Sequence, residues 1–165
     1  MISVEIIRRY PVFAGLTYEQ IVILAKLGDE SRTEKNHAFF KENDVLKSFY
    51  LVLEGAVGIV IEIPDHDVKQ TVSDQLTGEM KMKDIALSTV GSGGIFGFPA
   101  LIPPYNANAS AKAITQCRVV EFDCAELLKE FDKDCGFGYV MTQRVAQLAV
   151  ERLRDLRVET LACIT

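Results

Sequence analysis

The spacing of apolar residues near the N-terminus has the period of an α-helix. Apolar positions repeat at helical intervals between residues 21 and 25. Thr17 and Gln20 stand where a capping box requires them, with the Thr hydroxyl accepting from the third amide and the Gln side chain reaching back. Gly28 follows the last apolar residue of the segment. The pattern predicts an N-terminal helix that ends at Gly28.

From about residue 32 the apolar pattern changes to the period of two that is typical of β-strands. It is clearest at 49–53 and 57–63, and Gly55 between these runs predicts a hairpin. Weaker patterns predict two further strand pairs. One pair lies near 68–75 and 80–90, with a hairpin tip at Thr77-Gly78, and the other is a late pair at 109–115 and 118–122.

Many short strands joined by turn residues favour an antiparallel β-roll, the double-stranded β-helix or jelly-roll architecture, over about 32–122. Asp123 resembles an N-cap for a helix over 124–131, and a long helix is predicted from about 136 to the C-terminus. We expect one domain over 1–165, mainly β, with C-terminal helices over 123–165.

Charge and composition narrow the classes of function. The 165 residues carry a formal net charge of −5, and apolar residues make up 48%. An acidic chain with scattered basic residues argues against nucleic-acid binding, and Arg144, Arg152, Arg154 and Arg157 are interpreted as a solvated helix face. No apolar run reaches the ~18 residues of a membrane span, and the N-terminus has no signal-peptide pattern. We therefore expect a cytoplasmic protein.

The chain also offers little for metal binding or catalysis. Its four cysteines have no CxxC spacing, and its two histidines, His37 and His66, lie far from all of them in sequence. The cysteines are interpreted as reduced thiols, and no metal or cofactor is expected. No nucleophile–base pairing or Gly-rich nucleoside-triphosphate loop is present, so the protein is not expected to be an enzyme.

Four segments carry a family resemblance. They are Phe13-Ala14-Gly15-Leu16-Thr17, Lys41-Glu42-Asn43-Asp44, the run from Phe49 to Val57, and a segment that starts at Gly93-Gly94-Ile95-Phe96-Gly97-Phe98-Pro99-Ala100-Leu101 and continues at Asn108. Their order and spacing over about 13–160 resemble the cyclic nucleotide-binding domain family, in particular the sensor half of cAMP-receptor-type transcription regulators. The last segment resembles the family's phosphate-binding cassette. The resemblance also implies turns with positive φ at Asn36 and Asn43, where the family usually has glycines, because Asn is the non-glycine residue that best tolerates that conformation.

The resemblance implies a ligand site at the cassette. Its positions here are Gly97, Phe98, Pro99, Ala100, Leu101, Ala107, Asn108, Ala109 and Ser110. In the family a Glu holds the ribose hydroxyl and an Arg holds the cyclic phosphate, whereas here these positions are Phe98 and Ala107. Because a charge-assisted contact contributes roughly 1.5–3 kcal/mol, we expect weak or no binding of cAMP and cGMP, with dissociation constants above ~100 μM.

Two interpretations of the altered cassette stay open. The domain is either a regulatory sensor of another small molecule, such as an apolar or aromatic effector, or a degenerate module that acts through contacts with an effector protein. A cavity between Phe98, Ala107 and the interior of the β-roll would distinguish the two. No helix-turn-helix segment follows the last helix, so a stand-alone domain is expected.

The long C-terminal helix predicts an assembly. A stripe at heptad-like spacing includes Ala149, Leu153 and Leu156. The stripe could pack on the chain's own β-roll, but a helix of ~28 residues spans ~42 Å and must extend past a small roll. Together with the resemblance, this predicts a homodimer formed through Ala149, Leu153 and Leu156.

Overall fold

The N-terminal segment forms the predicted helix and a shorter one before it. The computed structural model describes residues 1–65 and 82–162. Helix α1 is Val4–Arg8, a 3₁₀ helix covers Pro11–Phe13, and α2 is Tyr18–Leu27. The capping box is confirmed, since Thr17 Oγ1 accepts from the Gln20 amide at 3.3 Å and Gln20 Oε1 accepts from the Thr17 amide at 3.0 Å.

The described residues of the β-region form eight strands in two antiparallel sheets, which confirms the predicted fold class. The strands are β1 Gly28–Thr33, β2 Ala38–Phe40, β3 Ser48–Glu54, β4 Val57–Pro64, β5 Met82–Val90, β6 Ile95–Phe96, β7 Ser110–Ala113 and β8 Cys117–Asp123. One sheet has the order β1-β8-β3-β6 and the other β2-β7-β4-β5. Strand β1 begins at Gly28, earlier than the predicted start near residue 32. The sequence did not show this start, because the polar and largely exposed residues of β1 carry no alternating apolar pattern.

Two predicted strand pairs are wrong. Strand β3 pairs with β6 and β8, whereas β4 pairs with β5 and β7, so the turn at Gly55 is a crossing between the two sheets and not a hairpin. Likewise β7 and β8 do not pair with each other but lie in opposite sheets. The predicted hairpin tip at Thr77-Gly78 and the strand near 68–75 lie outside the described residues.

The predicted turn conformations are confirmed. Asn36 and Asn43 have φ of 70° and 69°, in the left-handed region. Their amides donate to the carbonyls of Ala113 and Ala107, each at 2.8 Å. These two turns therefore tie the start of the β-roll to its last strands. Tyr105 also has a positive φ, 64°, which the sequence did not indicate.

The side-chain alternation of β3 separates two cores. Phe49, Leu51 and Leu53 belong to a cluster that packs under the helices, while Val52 belongs to a second cluster between the two sheets. This arrangement confirms that the run 49–53 has two different faces. The first sheet is thus covered on both sides, and its position is fixed relative to the helices.

Two helices complete the chain. Helix α3 is Cys124–Lys133, and its N-cap Asp123 accepts from the Glu126 amide at 3.0 Å, as predicted. Helix α4 is Cys135–Ala162, 28 residues long. Its first turns are anchored in the core through Phe137, Met141 and Val145. None of the helices in residues 1–65 and 82–162 is long and apolar enough to cross a lipid bilayer.

Candidate ligand site

The cassette segment begins with a backbone turn that requires glycine. Gly97 has φ of +74° and caps a 3₁₀ helix over Phe98–Leu101, with Pro99 in its first turn. A Cβ atom at Gly97 would lie 3.1 Å from the Ser48 carbonyl oxygen and 3.4 Å from Phe49 Cα. The absence of a side chain at 97 therefore brings the 3₁₀ helix close to strand β3.

The second half of the cassette is bound to the loop before β3. The Ala107 amide donates to the Asp44 carbonyl at 2.8 Å, and the Leu46 amide donates to the Tyr105 carbonyl at 2.7 Å. Ser110 is buried, and its hydroxyl accepts from the Glu42 amide at 2.9 Å. These bonds hold the segment in place, but they also use the Ser110 hydroxyl for structure.

The space inside the cassette is almost filled. Ala100 is buried in the helix-side core and Leu101 packs against that core, so neither borders a cavity described below. Gly97, Pro99 and Ala107 border a space of only about 10 Å³. This volume holds one water molecule at most. The cassette positions at 97, 99 and 107 therefore offer no room for a nucleotide in this conformation.

A larger cavity of about 300 Å³ lies next to this filled space, between the β-roll and helix α4. Three cassette positions line it, Phe98, Asn108 and Ala109. The remaining wall combines side chains of strands β4 and β5 with one face of α4, namely Ile59, Leu87, Ser88, Ala149, Arg152, Leu153, Asp155 and Leu156. The volume lies at the lower end of the range for small-molecule sites. The predicted distinction concerned a cavity that touches both Phe98 and Ala107. The 300 Å³ cavity borders Phe98 but not Ala107, and the space beside Ala107 is nearly filled.

Arg152 is the site residue that sequence reasoning missed. The sequence predicts that Arg152 lies on a solvated helix face together with Arg144, Arg154 and Arg157. This prediction is wrong for Arg152. Its side chain is partly buried, the guanidinium carbon lies 4.8 Å from the centre of the Phe98 ring, and Nη2 donates to the Ile95 carbonyl at 2.9 Å. Burial lowers the pKa of Arg152 from its usual value. The available signal was its spacing, since 152 lies on the same helix face as 149, 153 and 156.

Lys112 does not supply the missing positive charge of the cassette. Its ammonium group pairs with Asp84 Oδ2 across the sheet at 2.7 Å. Lys112 lines neither the 300 Å³ cavity nor the 10 Å³ space. Arg152 is therefore the cation that borders both spaces.

The residues predicted for the dimer helix line the same cavity. The wall of this cavity includes Ala149, Leu153 and Leu156. Leu153 nevertheless keeps 67% of its surface exposed and Leu156 keeps 37%. The stripe therefore lies at the rim between the cavity and the outer surface of α4.

The cysteines do not form a metal site with other described residues. Cys117 and Cys124 are buried and Cys135 is exposed, and all three are free thiols. Burial raises the pKa of the Cys124 thiol to about 12, which keeps it protonated. Within the described parts of the chain no three His, Cys, Asp or Glu residues are grouped as a metal site would require. Cys163 and His66 lie outside those parts.

Known proteins share this β-roll with its flanking helices. The family model of the cyclic nucleotide-binding domain matches residues 30–134. A putative cyclic nucleotide-binding protein from Geobacter metallireducens is 30% identical, with a TM-score of 0.74 over 93% of this chain and 99% of that one. The chain belongs to the cyclic nucleotide-binding domain family.

Other solved structures share the fold at lower identity. A cyclic nucleotide-binding domain from Methylobacillus flagellatus has a TM-score of 0.73 at 19% identity, over 96% of this chain and 80% of that one. The c-di-GMP-responsive regulator CLP of Xanthomonas campestris has a TM-score of 0.65 at 18% identity, over 87% of this chain and 63% of that one. No curated protein sequence matches this chain.

Proposed function

We propose that this chain is a regulatory domain that senses a small molecule other than cAMP or cGMP. The observation that carries the proposal is the cavity of about 300 Å³ that remains between the cassette and helix α4. Support for a sensor comes from this cavity beside Phe98 and not from the Ala107 position, where the space is nearly filled. A ligand there would touch Phe98 and Asn108 on one side and Ala149 and Leu153 of α4 on the other.

Weak binding of cyclic nucleotides follows from the residues at two positions. Ala107 has no charge for a phosphate, and Phe98 has no acceptor for a ribose hydroxyl. Ala107 is also buried beside a space of only about 10 Å³. A protein of the same fold, the CLP regulator, is described as responsive to c-di-GMP, so the fold is not restricted to one effector.

The proposal also covers the oligomeric state of the domain and its location in the cell. We propose that the domain is a homodimer through Ala149, Leu153 and Leu156, because α4 keeps Leu153 exposed and extends past its buried first turns. A dimer of this kind would place the effector next to the subunit contact. We also propose that the domain has no catalytic role and acts in the cytoplasm, as the sequence predicts.

A thermal-shift screen tests the sensor function. Nucleotides, cyclic dinucleotides and small aromatic compounds are screened against the unmodified protein and against Ala149→Phe, which fills the cavity. Ala146→Phe is the matched control, because Ala146 is an exposed residue of α4 on a different surface. A ligand of the cavity raises the melting temperature of the unmodified protein and of Ala146→Phe but not of Ala149→Phe.

Calorimetry tests the prediction for cyclic nucleotides. We expect cAMP and cGMP to bind with dissociation constants above ~100 μM, because both polar anchors are absent. If the cassette can open beyond the space of about 10 Å³ at Ala107, the double substitution Ala107→Arg with Phe98→Glu is expected to raise cAMP affinity, since it introduces both family side chains next to the Gly97 turn. Low-micromolar affinity of the unmodified protein for cAMP would contradict the proposal.

A further inference from the structure

The positive charge nearest to the cassette comes from helix α4. Arg152 lies one turn from Ala149 and borders both the large cavity and the small space beside Ala107. Its guanidinium covers the Phe98 ring at 4.8 Å, and one N–H group donates to Ile95. A guanidinium carries five N–H donors, so the bond to Ile95 leaves several for a ligand.

This partly buried cation has no carboxylate partner among the described residues. Within residues 1–65 and 82–162, its one hydrogen bond is to a neutral carbonyl and it takes part in no ion pair. Burial of an unpaired charge is unfavourable, and an anion in the cavity would offset that cost. Arginine also stays protonated at neutral pH even where burial lowers its pKa.

The rest of the cavity wall defines the body of the ligand. Ile59, Leu87, Phe98, Leu153 and Leu156 make most of the wall apolar, and Ser88 and Asn108 add neutral polar groups. Asp155 also lines the cavity, and its carboxylate repels negative charge on a ligand, so an anionic group is favoured only where it lies next to Arg152 and away from Asp155. The wall therefore suits a compact organic group with one charge rather than a polyphosphate.

We infer that the cavity binds a singly charged organic anion with an apolar or aromatic body, whose anionic group is held by Arg152. This inference rests on the proposed sensor function and specifies its ligand class. Because Arg152, Ala149 and Leu153 all belong to α4, such a ligand contacts the helix directly through its charge. The contact joins the cassette side of the β-roll to the helix that we propose as the dimer element.

Two fluorescent probes of similar shape and different charge test the inference. The anionic probe is 8-anilinonaphthalene-1-sulfonate, and the neutral probe is N-phenyl-1-naphthylamine. Both are titrated into the unmodified protein, Arg152→Gln and Arg152→Lys, with Ala149→Phe to locate the site. The matched control is Arg154→Gln, because Arg154 is an exposed arginine of the same helix on a different surface. Circular dichroism checks that each variant is folded.

We expect Arg152→Gln to lower the affinity for the charged probe but not for the neutral probe. Arg152→Gln weakens the anionic probe about tenfold or more and leaves the neutral probe within about twofold, as loss of one charge-assisted contact requires. Arg152→Lys keeps part of the affinity for the anionic probe, and Arg154→Gln changes neither probe. Ala149→Phe weakens both.

Other outcomes separate this inference from the proposed function. If both probes bind in an Ala149→Phe-sensitive manner but Arg152→Gln affects them equally, the ligand class is wrong and the sensor cavity stands. The same conclusion follows if Arg154→Gln weakens the anionic probe as much as Arg152→Gln. If neither probe binds, or Ala149→Phe has no effect on either, both the ligand class and the small-molecule site are contradicted.

Discussion

Arg152 of helix α4 lies over the ring of Phe98, with its guanidinium carbon 4.8 Å from the ring centre. The family resemblance predicts a Glu at position 98 and an Arg at position 107, where this chain has Phe98 and Ala107. The charge lost from the cassette therefore reappears nearby from another element of the chain. The aromatic ring at 98 provides a face on which that cation is held.

A double-mutant cycle measures this contact. Phe98→Leu and Arg152→Gln are combined, and the free energy of unfolding is measured by urea denaturation. We expect a coupling energy of about 0.5–2 kcal/mol, the range for a partly desolvated cation–π pair. The cycle of Phe98→Leu with Arg154→Gln is the control and is expected to give no coupling, because Arg154 lies on a different surface of the helix. Equal coupling in both cycles would contradict the contact.

The Gly97 turn gives a prediction about stability. Gly97→Ala is expected to lower the free energy of unfolding by roughly 1–2 kcal/mol or more, because a side chain is strained at positive φ. The new Cβ would also lie only 3.1 Å from the Ser48 carbonyl oxygen. Gly91→Ala is the matched control, since a Cβ there would meet no atom within 4 Å. Chemical denaturation of the two variants checks the difference, and similar stability of both would refute this account of the turn.

The exposed leucines of α4 give a prediction about assembly. We expect a homodimer at micromolar concentration, because each leucine that becomes buried contributes roughly 1.5–3 kcal/mol. Leu153→Asp with Leu156→Asp is expected to release folded monomers, as measured by light scattering and circular dichroism. Val150→Asp is the control, because Val150 is exposed on a different surface of the helix. A monomer mass for the unmodified protein at about 50 μM would rule out a stable dimer interface through Leu153 and Leu156.

A cross-strand ion triad gives a prediction about pH. Arg118 of β8 donates through Nε to Glu30 of β1 and through Nη1 to Glu54 of β3, the latter at 2.7 Å. The hydrogen bond from Arg118 holds the pKa of Glu30 below its usual value. Because the folded pKa is lowered, the stabilisation is present above the unfolded pKa of about 4.3 and is lost as the pH falls through the folded pKa.

Melting temperatures at two pH values check this prediction. Arg118→Gln is expected to melt at a lower temperature than the unmodified protein at pH 7, and the gap is expected to narrow at about pH 3. Lys133→Gln is the control, because its pairing with Glu130 is an exposed contact within one helix. A gap for Arg118→Gln that is the same at both pH values would show that Glu30 ionisation is not involved.

Local features of this protein were predictable because their causes lie within a few residues. The capping box at Thr17 and Gln20 is closed by two bonds three residues apart. The positive φ of Asn36 and Asn43 was indicated by the family's turn glycines at these positions, which Asn replaces at little cost. The two faces of 49–53 follow from the alternation of a strand. The order of the four family segments then indicated the β-roll.

Strand partners were not predictable from the same patterns. The apolar alternation on either side of Gly55 predicts two strands, but it does not indicate which sheet each strand joins. A hairpin and a crossing between sheets give the same local sequence pattern. Strand β3 lies beside β6 and β8 only because segments far along the chain return to it.

The sequence by itself indicated the family, the helix caps and the two Asn turns, and it predicted that two cassette anchors are missing. Only the tertiary structure showed that Arg152 contacts Phe98 and that a cavity remains beyond that ring. Arg152 and its hydrogen-bond partner Ile95 are separated by 57 residues. Their contact depends on how α4 packs against the β-roll, and that packing is the sum of many distant apolar contacts rather than a property of any local pattern.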